Sequence, residues 1–472
     1  MERRRPLQGR SLVRESASSR LERVSDRLGA TEAVVHAYVH VDIDEARKDA
    51  EAADATEPVG SLHGLPFAVK EVIDVSGVVT AAGSSVFADR VPGVDATVVQ
   101  RLRAAGAVLV GTHVSHELTC GLDQPATRNP WAPDRYPGGS SAGGGVSVAV
   151  GSSDFALGTD AAGSVRIPGA MTGVVGLKPT AGLVSSSGVV REATAPSIDH
   201  VGVLARRVSE VAEVLAAIAG PDPADAATLR VSASPSTTEL LGSKDASIEG
   251  LRLGVFGEAT QDALNELVAP ESEVVEVVDA AYQQLQELGA ILVPVELPTL
   301  VRSSEAIFTL FSTELAAAHR RLLEPRRAAY HPAVAEMLAQ ALKARSDQVV
   351  EAVEIRTALR REVERAFSTS GVRLLVSPTT PRVAMPLDSF DPGEELGTLI
   401  PYTCPFNLTG QPAVSVPCGF TRDTLPVGLQ IVGTAHGEAE VLRVASAYEQ
   451  ATGWHDCRPR IVTEAGDDRD RG

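Results

Sequence analysis

The stretch GTDAAGSVRIPG, Gly158 to Gly169, sets a single serine among residues with almost no side chain. Gly158, Ala161, Ala162 and Gly163 leave the backbone before Ser164 bare, and Arg166 and Pro168 follow it. A tight turn alone would account for small residues. A nucleophilic serine would also account for them, because the oxyanion it creates needs backbone N–H groups nearby and no bulk in the way. Such a serine needs a base. Two further places supply candidates: Lys70 follows the apolar run PFAV, and Ser140 and Ser141 sit in PGGSSAGGG. A lysine serves as a base only when neutral. Its ordinary pKa is ~10.4, so working near pH 7 costs roughly 4.6 kcal/mol at ~1.36 kcal/mol per pH unit, part of which desolvation beside PFAV can supply. A hydroxyl both donates and accepts, so a second serine can relay the proton.

Other motifs are weaker. GSSAG (Gly139 to Gly143) matches G-x-S-x-G and would make Ser141 the nucleophile, with His200 as a candidate base. That motif needs a strand directly before it, and NPWAPDRYPG is too rich in proline to be a central strand. HVSHELTC offers His113, His116, Glu117 and Cys120, but at none of the spacings that mark zinc sites. GGSSAGGG lacks the Lys-Ser/Thr ending of a phosphate loop.

The elements that must hold these residues alternate along the chain. Residues 11–55 read as helical, interrupted by VVHAYVHV, a strand or a buried helical segment. GLPFAVKEVIDV alternates like a strand, and DATVVQRLRAAGAVLVGT reads as a helix ending near Gly106 followed by a strand. TRNPWAPDRYPGGSSAGGG is a long Pro/Gly loop, after which VSVAVGSSDFALGTD combines an apolar stretch with a strand that leads to Ser164. Residues 220–248 read as a surface excursion. LRLGVF, AILVPVEL, VRLLVSPTTP, PAVSVPCG and LPVGLQIVG read as strands, SEVVEVVDAAYQQLQELG and EAEVLRVASAYEQATGW as helices, and 303–368 as mostly helical. Interleaving of this kind means an α/β class.

Composition narrows the partners. The chain has 472 residues, 44% apolar and 22% charged, with a formal net charge of −18. That charge argues against nucleic acid or an anionic membrane surface as the main partner. Four cysteines, Cys120, Cys404, Cys418 and Cys457, show no CxxC spacing and fit reduced thiols in the cytoplasm. The basic MERRRPLQGR is followed by no apolar core of a secretory signal.

Taken in order, GLPFAVKEVIDV, TRNPWAPDRYPGGSSAGGG, GTDAAGSVRIPGAMTGVVGLKPT, SIDHVGVLARRV, LLVSPTTP and TGQPAVSVPCG…LPVGLQIVG resemble the amidase signature family of serine hydrolases over nearly the whole chain. The resemblance implies a central mixed, twisted β-sheet covered by helices on both faces. It implies a Ser–cis-Ser–Lys triad of Ser164, Ser140 and Lys70, and the family's spacing of the two serines selects Ser140 over Ser141 as the bridge. The oxyanion is expected to meet the N–H groups of Ala161, Ala162, Gly163 and Ser164, and Asp160 and Arg166 to act as an orienting pair, as hydrogen bonders to nearby backbone, or as a structural salt bridge. His116, Cys120 and Gly121 are expected in the substrate pocket. Specificity is expected in His116 to Gln124 and Ser303 to Lys343, where the resemblance is thinnest. No metal and no organic cofactor is implied.

Two departures stand out: Ala161-Ala162-Gly163 replaces the family's usual Thr-Gly-Gly, and Ala142 replaces a glycine of GGSSGG. The wording SHELTCGLDQPATRNP also differs from that of the A subunits of glutamine-dependent amidotransferases, which favours a free-standing amidase. The expected organisation is an N-terminal helical segment over 1–55 packed on the core, an α/β domain over 56–460 with a helical pocket region at about 300–368, and a mobile tail over 461–472. The expected activity is hydrolysis of a carboxamide or urea-like C–N bond in the cytoplasm, on a small-molecule amide, with no nucleic acid or membrane partner and with a homodimer allowed. Glutamine hydrolysis within an amidotransferase, acyl transfer to an amine, and a non-catalytic binding role are the alternatives.

Overall fold

The computed structural model describes residues 15–242 and 247–462. Eleven strands form one mixed sheet in the order β1-β3-β2-β4-β6-β5-β10-β11-β9-β7-β8. They are β1 (Tyr38–Val41), β2 (Pro66–Lys70), β3 (Val108–His113), β4 (Phe155–Thr159), β5 (Val175–Lys178), β6 (Val201–Ala205), β7 (Arg252–Phe256), β8 (Ile291–Val295), β9 (Leu374–Pro378), β10 (Ala413–Phe420) and β11 (Pro426–Gly433). β2 runs parallel to β3 and β4 on its two sides, and β9, β7 and β8 are parallel to one another. The middle strands, from β4 through β6, β5, β10 and β11 to β9, pair antiparallel. Helices cover the sheet, and the α/β class read from the interleaving holds.

β2 is buried at all five positions, although its alternation suggests one wet face. Strands β3 and β4 flank it and helices cover it, so both faces lie in the core. Phe67 stacks on Phe155 of β4 with ring centroids 5.3 Å apart, which fixes the register next to the site. VVHAYVHV divides: the helix Ala17–Val35 takes its start and β1 its end. The helices Ala17–Val35 and Ile43–Asp54 pack their alanine and leucine faces on Val108 and Val110 of β3. Val462 is buried and its carbonyl accepts from Arg27 at 2.9 Å, so the start of the expected tail is packed against the first helix. The rest of that tail, and residues 1–14, lie outside the described residues.

The loop expected up to Gly145 stops at Ser141. Ala142–Val150 is a helix, wholly buried, with three glycines in its first turn. Glycine is costly in a helix. Here close packing demands it, since a Cβ on Gly143 would collide with the Ala37 carbonyl and one on Gly144 with the His113 ring. Ala142 begins this helix, so replacing a glycine there meets no backbone restriction. Two short helices, Pro392–Leu399 and Pro405–Thr409, stand where the sequence shows no helical period.

Candidate active site

The carboxyl ends of the parallel strands β2 and β4 lie side by side and carry Lys70 and Thr159. Ligand sites in α/β sheets favour such ends. Lys70 is fully buried, and its Nζ donates to Ser140 Oγ at 2.7 Å and to Thr159 Oγ1 at 3.1 Å. Burial pushes the Lys70 ammonium well below its ordinary pKa, and the carboxylates of Asp199, Asp160 and Glu71 partly oppose this. Asp199 moves the other way: burial raises it, against the charge of Lys70. A buried lysine and a buried carboxyl group thus share one electrostatic environment, and their titration belongs to the pair.

The peptide bond Gly139–Ser140 is cis. Ser140 and Ser164 line the same pocket, and the Ser164 carbonyl accepts the Ser141 N–H at 3.1 Å, which ties the two serine loops together. Ser141 does not face the pocket. It is fully buried and its hydroxyl donates to the Thr159 carbonyl at 3.2 Å. His200 is also buried, with Nδ1 3.2 Å from the Asp160 carbonyl, and burial lowers its pKa to about 3. His113 pairs with Lys70 across β2 and β3 and is lowered by burial to about 4. Neither histidine has a pKa suited to a base at neutral pH.

Asp160 and Arg166 are both orienting pair and backbone ligand. Arg166 Nη2 and Nε reach the two Asp160 oxygens at 2.9 and 3.0 Å. Burial would raise the Asp160 carboxyl, but the Arg166 charge and the hydrogen bonds from Arg166 and Asn407 outweigh it and hold the group far below its usual range. The remaining guanidinium donors meet the Thr403 carbonyl, Gln430 Oε1 and Asn407 Oδ1 at 2.9, 2.6 and 2.6 Å. A charge this deep persists only when so fully paired.

Asp160 also corrects the oxyanion expectation. Its Oδ1 accepts the Gly163 N–H at 2.8 Å, and its Oδ2 accepts the Val165 N–H at 3.1 Å. The Gly163 N–H is therefore committed and cannot meet an oxyanion. Gly163 is needed for its backbone instead: φ is +127°, and a Cβ would land on Thr403 Oγ1. Among the described residues, the N–H groups of Ala161, Ala162 and Ser164 have no such partner. Ala162 is not among the residues with positive φ, so glycine is not required there, and the residue lines the pocket.

Cys120 and Gly121 line the pocket as expected; His116 does not. His116 is fully buried, with Nδ1 3.1 Å from Asp123 Oδ1 and Nε2 3.0 Å from the Tyr136 hydroxyl. It braces Tyr136, which does face the pocket. Glu117 is likewise committed, accepting from Ser84 Oγ at 2.6 Å and from the His331 N–H at 2.7 Å. Specificity was expected in two stretches, and each supplies a wall: Thr119 to Gly121 from one, Ile307, Phe308 and Phe311 from the other. Leu396, Leu399 and Ile400 form a third wall that no motif announces. Thr159, Asp199, Thr403, Asn407 and Gln430 were also missed, since each acts through a tertiary contact that leaves no local pattern.

The Amidase family model matches residues 20–442. The chain belongs to the Amidase family. It is 37% identical to the A subunit of the glutamyl-tRNA(Gln) amidotransferase of Chloroflexus aurantiacus, over 92% of this chain and 93% of that protein. Among solved structures, this amidase superposes on an inhibitor-bound protein complex described as revealing the origins of an s-triazine catabolic enzyme. The TM-score is 0.83 at 30% identity, covering 93% of this chain and 96% of that one. It superposes on 6-aminohexanoate cyclic dimer hydrolase with a TM-score of 0.84 at 28% identity, covering 95% and 96%. The mixed sheet with helices on both faces is thus that of the amidase signature enzymes.

Proposed function

We propose that this amidase cleaves a carboxamide C–N bond through an acyl-enzyme on Ser164. Neutral Lys70 takes the Ser140 proton as Ser140 takes the Ser164 proton, and Ser164 Oγ attacks the carbonyl carbon. The oxyanion meets the free N–H groups of Ala161, Ala162 and Ser164. Collapse breaks the C–N bond, and the proton returns through Ser140 to the departing nitrogen. Water, deprotonated by the same relay, then releases the acid. The observation that carries this reading is the 2.7 Å contact between a buried Lys70 and the Ser140 hydroxyl, itself on the pocket that holds Ser164. A fluorophosphonate should label Ser164. Ser164→Ala should lose the label and all turnover, and Lys70→Ala nearly as much turnover, because such groups act as a unit. Burst kinetics retained in Ser164→Ala would end the assignment.

A second reading has support in the name of the Chloroflexus relative: glutamine hydrolysis within an amidotransferase built of several chains. A second chain co-purifying with this one, with glutamine as the preferred substrate, would favour it.

A further inference from the structure

Two helices distant in sequence wall the pocket beyond Ser164. Ile307, Phe308 and Phe311 come from one turn of Ser303–His319. Leu396, Leu399 and Ile400 come from the end of Pro392–Leu399 and the residue after it. Spacings of three and four residues lay each group on one helical face. Ile307, Leu399 and Ile400 are buried, Phe311 and Leu396 are half-buried, and Phe308 is 38% exposed, the most open residue of the wall.

The polar groups of this pocket are few and mostly spoken for. The Tyr136 hydroxyl meets His116, the Thr119 hydroxyl donates to the Ala193 carbonyl at 2.9 Å, and the Cys120 thiol reaches the Leu118 carbonyl at 3.5 Å. Among the described residues no charged side chain lines the pocket. The polar groups that remain are those of the chemistry itself: the Ser140 hydroxyl, which meets Lys70, the Ser164 hydroxyl, and the N–H groups of Ala161, Ala162 and Ser164. Ser140 must hand a proton to the departing nitrogen, so that nitrogen faces Ser140. The acyl substituent is left with the two apolar helices.

Resting on the catalytic reading of Ser164, we infer that the substrate is an amide whose acyl group is uncharged and apolar, an aliphatic chain of several carbons or a phenyl ring. The ammonium and carboxylate of glutamine would lose water there and gain no partner, which is far costlier than the gain from its two methylenes. Each methylene buried against the two helices should raise kcat/KM about fourfold, the equivalent of ~0.8 kcal/mol.

The test compares acetamide, butyramide, hexanamide and benzamide with glutamine and succinamate. The expected result is a stepwise rise from acetamide to hexanamide, with glutamine and succinamate at least a hundredfold below hexanamide. Phe308→Asp, at a position partly open to solvent, should cut the hexanamide-to-acetamide ratio at least tenfold in a variant whose Tm and fluorophosphonate labelling match those of the unsubstituted enzyme. A flat aliphatic series, or glutamine as the best substrate, in an enzyme whose Ser164 takes the fluorophosphonate would overturn the inference and leave the catalytic reading intact. An unsubstituted enzyme that takes no label on Ser164 and turns over none of these amides would overturn the catalytic reading. Calorimetric binding of hexanamide but not glutamine to Ser164→Ala then still decides the pocket's preference, and the reverse order of binding would sink it.

Discussion

Lys70 can act as a base only because burial disfavours its charge, and the pH profile should record that. kcat/KM should climb with pH as the lysine loses its proton, with a midpoint well below the ordinary ~10.4, and then level off. The groups that face it are Asp199, Asp160, Glu71 and His113. Asp160 stays ionised under Arg166 and His113 stays neutral at neutral pH, while burial raises both Asp199 and Glu71; of these two, Asp199 acts more strongly on Lys70. Its carboxylate favours a charged Lys70. Asp199→Asn removes that influence and should shift the acidic limb to lower pH, measured in kcat/KM against pH with the fluorophosphonate rate as a second readout. A limb that does not move would mean Asp199 has no hold on the base. A limb abolished by replacing His200 rather than Lys70 would relocate the base. Lys70, Ser140 and Ser164 were singled out together by the resemblance of the segments that carry them, and the structure sets Lys70 against Ser140 on the pocket of Ser164. Asp199 was not legible in this way, since its effect on Lys70 passes through space and not through a spacing.

The helix Ala142–Val150 shows where local reasoning misjudges. Three glycines after two serines look like loop, and propensity agrees. The structure makes them a helix because Ala37, His113 and Thr172 press against its first turn and leave no room for side chains. The same elements carry Ser140 at the helix entrance and Lys70 on the strand beside His113, so this packing positions the proposed relay. Gly143→Ala therefore sets two effects against each other. Helix propensity alone would stabilise the protein by about 1 kcal/mol. The Cβ would meet the Ala37 carbonyl and the Val114 N–H, both backbone and unable to yield cheaply, and overpacking of this kind costs about 1–3 kcal/mol. The second effect should win, giving a lower Tm in thermal unfolding together with a fall in kcat as the Ser140 loop shifts. A raised Tm would show that the helix has slack. Elements with a clear period, such as Thr97–Ala104 followed by β3, were readable in advance. The wall Pro392–Leu399 was not, because its helix is short and its leucines are set by what they close over.

At the scale of the whole molecule, the sheet order explains how one chain completes the site. β2 and β4 bring Lys70 and Thr159 together, the loop after β3 brings Ser140 and the loop after β4 brings Ser164, and the chain returns from far downstream to seat Arg166 between Asn407 and Gln430. The edges of the sheet are β1, of four residues, and β8, which carries Pro294, and both features discourage strand-to-strand association. Among the described residues no helix is long and apolar enough to cross a membrane. The described residues of this chain supply by themselves the three apolar walls, the proposed relay and the partners of Asp160. The free-standing reading predicts that hydrolysis of an apolar amide needs neither a partner protein nor a second copy. Specific activity on hexanamide should stay constant as the purified chain is diluted from micromolar to nanomolar, with its mass followed by light scattering at the upper end. Activity that falls on dilution, or that appears only when a co-expressed partner is present, would show that a residue or a conformation supplied from outside completes the site. The amidotransferase reading would then gain at the expense of the free-standing one.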